Sequence, residues 1–599
     1  MKERIVKIVM VDDNLVVVSL HGHGSQGVPC MMNEEAFIGS AHLRGEVIRV
    51  RGNLADLQCY EDTTGLMVGD NVILTGHLIE MELGPGLIGA TLDGLGNRLS
   101  GYGDFLPQGV IVPPLDKKKK WSFKPLVEDG ARVLAGDIIG EVKETELVVH
   151  KIMVPANSPS GTIRGIAAGE FVIEDKIAEL VSDDGKISEL KMLQRWPIRM
   201  PRPVKSRLQL SDVLNTGIRI IDAFNPVMLG GTACVPGDFG TGKTMCQHDL
   251  ARHSKVKIVI YVGCGERAGE MVELMHEFPK LIDPETGRPL VERTVLFVNT
   301  SAMPVAAREG SILVGATVGE YFRDMGYDVL LLTDSLSRQA QGMREISGRL
   351  GEIPGPQAFP AYIGAYLTRW FERAGSIACL GSGPERRGSM TIIAALSPDG
   401  GDISGDPPTQ AAIQTAKVAL ILSRKRAAAR LFPAFDPLEC HSKYLDTSVE
   451  VLQRRFEQKD LPLWLKFVSA LKSSVVEGER IRDQMEILGE KGIGDEEYRR
   501  YLLGEIVQKG YLNQNTFDEN DRASSLERHY DMMRFLVHIL DIFPLEDKRS
   551  MRRRQEDLLF EIVQANYASD YKAGYDRIIE SITSASAPAA DVREGEVAR

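Results

Sequence analysis

The sequence predicts a multidomain α/β protein: an N-terminal β-barrel, an inserted β-sandwich-like domain, an α/β core with a parallel sheet, and a C-terminal helical domain. Three textures carry this reading. Short alternating strands broken by Gly, Asn and Asp fill the first part, apolar runs alternate with helical stretches in the middle, and charge-rich 3.6-residue periodicity with few glycines fills the end. At about 100–200 residues per domain, 599 residues leave room for several cores.

Residues 1–76 read as the barrel, because segments such as Glu46-Val-Ile-Arg-Val-Arg-Gly52 and Ala55-Asp-Leu-Gln-Cys-Tyr60 alternate and stop at tight turns. Residues 77–108 form a connection, with the turn formers Glu82-Leu-Gly-Pro-Gly-Leu-Ile-Gly89 at the barrel's exit. Residues 109–182 read as the inserted β domain, since glycines recur at strand–turn spacing between Glu128 and Val142. It opens on the basic run Lys117–Lys120; an anion patch is one reading and a solvated loop the simpler one. Residues 183–440 hold the core, whose alternating texture starts near Ser211. Residues 441–599 are helical, as in Ser525–Leu540, and the tail 584–599, small residues then charge, reads as disordered. There is no internal repeat and no heptad array.

Composition excludes several classes. Hydrophobic residues at 43% and charged residues at 26% fit a globular chain rather than a collagenous or disordered one. The net charge of −12 leaves no whole-molecule field to attract nucleic acid. Seven cysteines, none spaced CxxC, fit a reducing compartment and not structural zinc. The N-terminus lacks the charged and apolar regions of a signal peptide, and no run of 18 apolar residues occurs, so a membrane role is expected only through partners.

The sharpest chemical signal is Gly237-Asp-Phe-Gly-Thr-Gly-Lys-Thr244, a full GxxxxGK[ST] match between an apolar stretch (232–236) and a helix-compatible one. In such a P-loop, backbone N–H groups turn inward around phosphate oxygens, the lysine (Lys243) neutralises the β/γ-phosphates and the threonine (Thr244) holds Mg²⁺. A second metal anchor should stand at the end of a neighbouring buried strand. Asp328-Val-Leu-Leu-Leu-Thr-Asp334 supplies Asp334. Between them, Lys257-Ile-Val-Ile-Tyr-Val-Gly263-Cys-Gly-Glu266-Arg267 ends a strand in a carboxylate able to polarise water and a guanidinium able to neutralise developing charge. A plain surface ion pair is the alternative for Glu266 and Arg267; the strand context favours the catalytic one.

The order of the motifs at 237–244, Gly-Cys-Gly-Glu-Arg (263–267), Thr-Asp-Ser-Leu-Ser-Arg (333–338), 344–350 and Ser-Pro-Asp-Gly-Gly-Asp (397–402) resembles the catalytic A subunit of rotary V/A-type ATPases. Residues 60–66, 82–89 and 510–515 are similar to the same subunit, so the resemblance spans nearly the whole chain. The non-catalytic B subunit lacks an intact P-loop, the F-type β subunit lacks the inserted β domain, and the F-type α subunit lacks the acid at Glu266.

The resemblance implies a RecA-like P-loop core that binds ATP/ADP through Gly237, Asp238, Phe239, Gly240, Thr241, Gly242, Lys243 and Thr244. It implies Mg²⁺ at Thr244 and Asp334, water activation by Glu266, and orientation of that site by Arg267. Phe432 is similar to an adenine-stacking position, with Tyr511 or Phe517 as the other wall; an aromatic after a helix is more often core packing. The implied partners are a non-catalytic B subunit in an alternating hexameric ring, central (rotor) and peripheral stalks, and an ion-translocating membrane sector on whose cytoplasmic face the chain sits peripherally, with no nucleic acid. Nucleotide state would move the helical domain against an off-centre shaft.

Three departures stand out. Asp238 replaces a common proline and puts negative charge beside the phosphates, Thr241 replaces the cysteine of many eukaryotic members, and residues 402–407 are one residue longer than the family pattern. The competing readings are a hexameric RecA-like nucleic-acid translocase, which should show a basic aromatic-lined channel, a regulatory nucleotide-binding subunit without turnover, and a shorter export ATPase lacking the insertion.

Overall fold

In a computed structural model of the chain, residues 4–21, 28–99, 108–301, 303–455 and 462–586 are described. Six antiparallel strands close a barrel in the spatial order Arg4–Asp12, Leu15–Ser19, Leu54–Cys59, Leu43–Arg51, Glu34–Ile38 and Asn71–Leu78. Alternation sends Val6, Ile8, Val16, Val18, Leu57, Val72 and Leu74 into one core. The fully buried Asp56 carboxylate is satisfied by Arg49 Nε at 2.6 Å and Arg51 Nη2 at 2.7 Å.

The chain leaves the barrel through Glu80–Leu83, paired antiparallel with Gln194–Pro197. Between them sit two four-stranded antiparallel sheets. One of these continues past Ser182 into the strand Ile187–Leu190, eight residues beyond the expected end of the inserted domain. Lys117 pairs with Glu174 at 2.8 Å and Lys119 lies 3.8 Å from the Trp121 ring, so the lysine run is tied to the domain's own surface. Inside, His150 bridges Glu144 (Nδ1, 2.7 Å) and the Tyr321 hydroxyl (Nε2, 2.9 Å), while Glu144 accepts the N–H groups of Gly86 and Ile88. This buried network seats the inserted domain on the long helix Val305–Asp324.

The core sheet runs, in spatial order, Val418–Ala419, Thr232–Pro236, Arg387–Leu396, Asp328–Asp334, Ile258–Glu266, Thr294–Thr300 and Thr91–Leu92, all pairs parallel. These strands read as continuous apolar runs because helices cover both faces. The chain passes from Thr232–Pro236 to Ile258–Glu266 over two strand positions, which creates the topological switch point where α/β sheets bind ligands.

The chain divides into two compact units. One comprises residues 1–214 and 227–419; the other comprises 215–226 and 420–599. The helices expected from 441 onward therefore share a unit with 420–440 and with a short strap, Asn215–Pro226. The second unit contains the long helices Pro462–Leu488, Asp495–Val507, Leu526–Ile542, Lys548–Tyr567 and Tyr571–Ser586. The last of these carries the chain two residues past Ser584, into the tail that reads as disordered from its composition; residues 587–599 lie outside the described set.

The strap brings two buried charges. Arg219 is fully buried and pairs with Asp521, and its Nη1 donates to Tyr511 O at 2.9 Å. Asp222 accepts from Thr216 N–H and Oγ1–H and from Gly217 N–H, yet burial pushes its pKa up to about 7. Beside it at 3.9 Å stands His529, which burial pushes down to about 3 and whose Nε2–H donates to Ser524 O. In the folded unit Asp222 keeps its proton and His529 stays neutral. In an unfolded chain between about pH 4 and 6.5 the aspartate has lost one proton and the histidine has gained one, so the proton counts match and the pair adds no slope. Asp222→Asn leaves the histidine uncompensated. The unfolded state then binds one more proton than the folded state, so the variant's stability relative to the parent should rise by up to about 1.4 kcal/mol per pH unit over that window. Chemical unfolding of both proteins at several pH values checks this; parallel curves would refute it.

Candidate active site

The strand Thr232–Pro236 delivers the loop 237–242 to the sheet's carboxyl edge, and the helix Lys243–His253 follows. Gly242 sits at φ +91, ψ 24, a left-handed conformation an L side chain resists, and this bend turns the loop into the helix start. Lys243 Nζ donates to the carbonyls of Gly237 (2.8 Å) and Asp238 (2.9 Å), which holds the ammonium over the loop. Burial pushes its pKa down, while Asp334, Glu266 and Glu270 pull it back. Thr241 is buried and donates its hydroxyl to Asp238 O at 2.7 Å, so this position serves the loop's shape.

Asp238 itself turns aside. Its Oδ1 accepts the Phe239 N–H at 2.6 Å, and its Oδ2 lies 2.7 Å from where a Cβ on Gly401 would stand. The acidic departure in the loop is thus matched by a glycine opposite it. Next to it, the lengthened run is gathered on Asp402, whose Oδ1 accepts from Ser404 N–H and Oγ–H and from Gly405 N–H.

Thr244 Oγ1 donates to Asp334 Oδ2 at 3.1 Å, joining the first turn after the loop to the end of the neighbouring strand. The strand ending in Glu266 lies beside that one, with Gly263 opposite Asp334. Burial raises both acids; Glu266 is raised further by Asp334 and Glu270 and pulled down by Arg338, whereas Lys243 and the Thr244 hydroxyl pull Asp334 down. A hydroxyl, a carboxylate and surplus negative charge at a P-loop fit a hard divalent cation. Among the described residues no cluster of three or more acidic, His or Cys side chains forms a metal cage.

Arg267 does not sit on Glu266: its guanidinium lies over the ring of Phe239, 5.0 Å from the centroid, at the tip of the loop. The guanidinium that acts on Glu266 is Arg338, in the first turn of the helix Leu336–Arg349. The sequence carries a signal for it, as the last residue of the 333–338 motif, and for Glu270, four residues after Glu266 in a helix's first turn; neither position by itself points to a role.

The aromatic expectations divide. Tyr511 is fully buried, its ring 6.1 Å from that of Phe224, so it is core packing with no surface for a ligand. Phe432 is 42% exposed, its N–H donating to Asn513 Oδ1 at 2.9 Å and its carbonyl accepting from Gln514 N–H. Phe517 is 90% exposed.

A parallel sheet carrying a P-loop and two acidic strand ends at its carboxyl edge defines a P-loop nucleotide-binding protein. Residues 217–442 match the ATP synthase alpha/beta family nucleotide-binding domain, 14–76 the beta-barrel domain of that family, 112–199 the barrel-sandwich domain, and 453–557 the C-terminal domain of V and A type ATP synthase. The chain is 42% identical over 529 residues to the A subunit of the A-type ATP synthase of Methanopyrus kandleri, covering 87% of this chain and 88% of that protein. It is 44% identical over 508 residues to the V-type ATP synthase alpha chain of Clostridium botulinum, covering 84% and 85%. Among solved structures, the type III secretion ATPase EscN of enteropathogenic E. coli shares the fold at a TM-score of 0.62 and 18% identity, over 89% of this chain and all of that one. The chain belongs to the family of V/A-type ATP synthase alpha chains, the A subunits of these complexes. Membership brings nucleotide binding, ATP hydrolase or synthase activity and a place in a multisubunit complex, and it decides against the nucleic-acid translocase and the regulatory readings.

Proposed function

We propose that this chain turns over Mg·ATP at the loop 237–244 as the catalytic subunit of a rotary complex, coupling hydrolysis or synthesis to H⁺ or Na⁺ transport. The observation that supports this most directly is the Thr244–Asp334 hydrogen bond with Glu266 on the adjoining strand. Lys243 and the loop N–H groups hold the β- and γ-phosphates, and Arg267 and Arg338 flank the transferring group. Thr244 and Asp334 would hold Mg²⁺, which supplies charge neutralisation at the phosphates. Glu266 orients and deprotonates the attacking water; the strand end keeps it beside the phosphate edge. Of the aromatics expected at the adenine, Phe432 and Phe517 are exposed and remain the candidates for stacking on it.

The partners we infer are three non-catalytic B-type subunits alternating with three copies of this chain, a central rotor, peripheral stalks and a membrane sector. Among the described residues no helix is long and apolar enough to cross a membrane. The position we infer is peripheral, on the cytoplasmic face, held through the stalks. A neighbouring subunit's arginine would complete the site, and such a finger contributes about 10³–10⁵ in rate. Accordingly, the chain assembled with a B-type subunit should hydrolyse ATP in a Mg²⁺-dependent manner, and the isolated chain should do so far more slowly. Equal rates for the two preparations would refute the shared site.

A further inference from the structure

The strand that ends in Glu266 does not run on regularly to its last residue. Against its parallel neighbour Thr294–Thr300 the pairing is Gly263 with Val298, Cys264 with Asn299, and then Glu266 with Thr300, so Gly265 is an extra residue in a bulge. A bulge of this kind changes the direction of the side chain that follows it. Gly265 takes φ +68, and a Cβ there would stand 2.8 Å from Arg338 Cβ and 3.1 Å from Arg308 Cδ.

The bulge is held by a side chain. The Gly265 N–H, turned out of the ladder, donates to Asn299 Oδ1 at 3.1 Å, and Asn299 is fully buried. On the far side of Glu266, its carbonyl accepts from Ser301 N–H at 2.8 Å, and the Ser301 carbonyl accepts from Arg308 Nη2 at 2.8 Å. Asn299 thus fixes the Cys264–Gly265 peptide, where the bulge begins, and the Ser301–Arg308 pair fixes the Glu266–Arg267 peptide on the other side. A buried amide whose acceptor serves the backbone one residue from a water-activating carboxylate has a consequence beyond packing, since the bulge sets where that carboxylate points.

We propose that Asn299 is a positioning residue for Glu266, holding the Gly265 bulge so that the carboxylate reaches the attacking water; this rests on the assignment of Glu266 as the water-activating group. In the assembled complex, Asn299→Leu removes the acceptor at similar volume and should lower kcat for ATP hydrolysis by about 10-fold or more, with KM for ATP, ring assembly and thermal unfolding little changed. Asn299→Asp keeps an acceptor for Gly265 N–H and should recover most of the loss. If Asn299→Leu fails to assemble, Asn299→Ala is measured in the same way. In combination with Glu266→Gln, Asn299→Leu should add no further loss, because it acts through that carboxylate. Parental kcat in both Asn299→Leu and Asn299→Ala beside an inactive Glu266→Gln would overturn the positioning role alone. A further loss on top of Glu266→Gln would do the same. An active Glu266→Gln would instead remove the assignment on which the inference stands.

Discussion

Replacing Glu266 by Gln in the assembled complex is expected to lower ATP turnover by about 10²–10⁴-fold, the range a positioned general base supplies. The amide keeps the size of the side chain but cannot take a proton. Nucleotide binding should survive, because Lys243, Thr244 and the loop N–H groups that we propose hold the phosphates are untouched. Burial and the neighbouring Asp334 and Glu270 raise the Glu266 pKa, so removing its charge also relieves repulsion among the three acids. The variant should therefore bind nucleotide at least as tightly as the parent while turning it over slowly. Turnover at the parental rate in the reconstituted complex would refute the catalytic assignment.

The second large effect is on stability. Arg219→Ala should destabilise the unit formed by 215–226 and 420–599 by about 3–5 kcal/mol, because removing one partner of a buried ion pair leaves the other charge uncompensated. Asp521 would be stranded at 3% exposure, and the Tyr511 carbonyl would lose its donor. Burial already pushes the arginine's pKa down to about 10, a sign of how little water reaches it. Thermal unfolding of the full chain reads the effect as a lowered midpoint for the helical unit. A change below about 1 kcal/mol, the value of an exposed pair, would show the pair to be solvent-screened.

Much of the fold is legible in the sequence because its signals are local. The barrel strands alternate, the core strands are continuous apolar runs, and the P-loop is a contiguous eight-residue match, so each announces itself within one element. Asp334 and Glu266 are found the same way, as polar residues closing apolar strands. What escapes depends on residues distant in sequence. The glycine that makes room for Asp238 stands at 401, and the amide holding Gly265 stands at 299. Arg267 stands next to Glu266 in sequence, which suggests partnership; the bulge and the start of the helix Ala268–Glu277 send it to Phe239 instead. Tyr511 sits in a motif shortly before an exposed aromatic, and only packing against Phe224 reveals it as core. The strap is invisible for the same reason, since nothing in 215–226 names partners near 511–529.

That strap governs how the molecule can be made. On a ribosome, Asn215–Pro226 emerges nearly three hundred residues before Tyr511, Gln514 and Asp521, whose groups Arg219 meets. The helical unit therefore closes through contacts of very long sequence separation, which form late and carry a large loop-closure cost. A fragment beginning at Leu420 lacks the strap and should fold poorly alone. Supplying Asn215–Pro226 through a short linker ahead of Leu420 should restore cooperative unfolding.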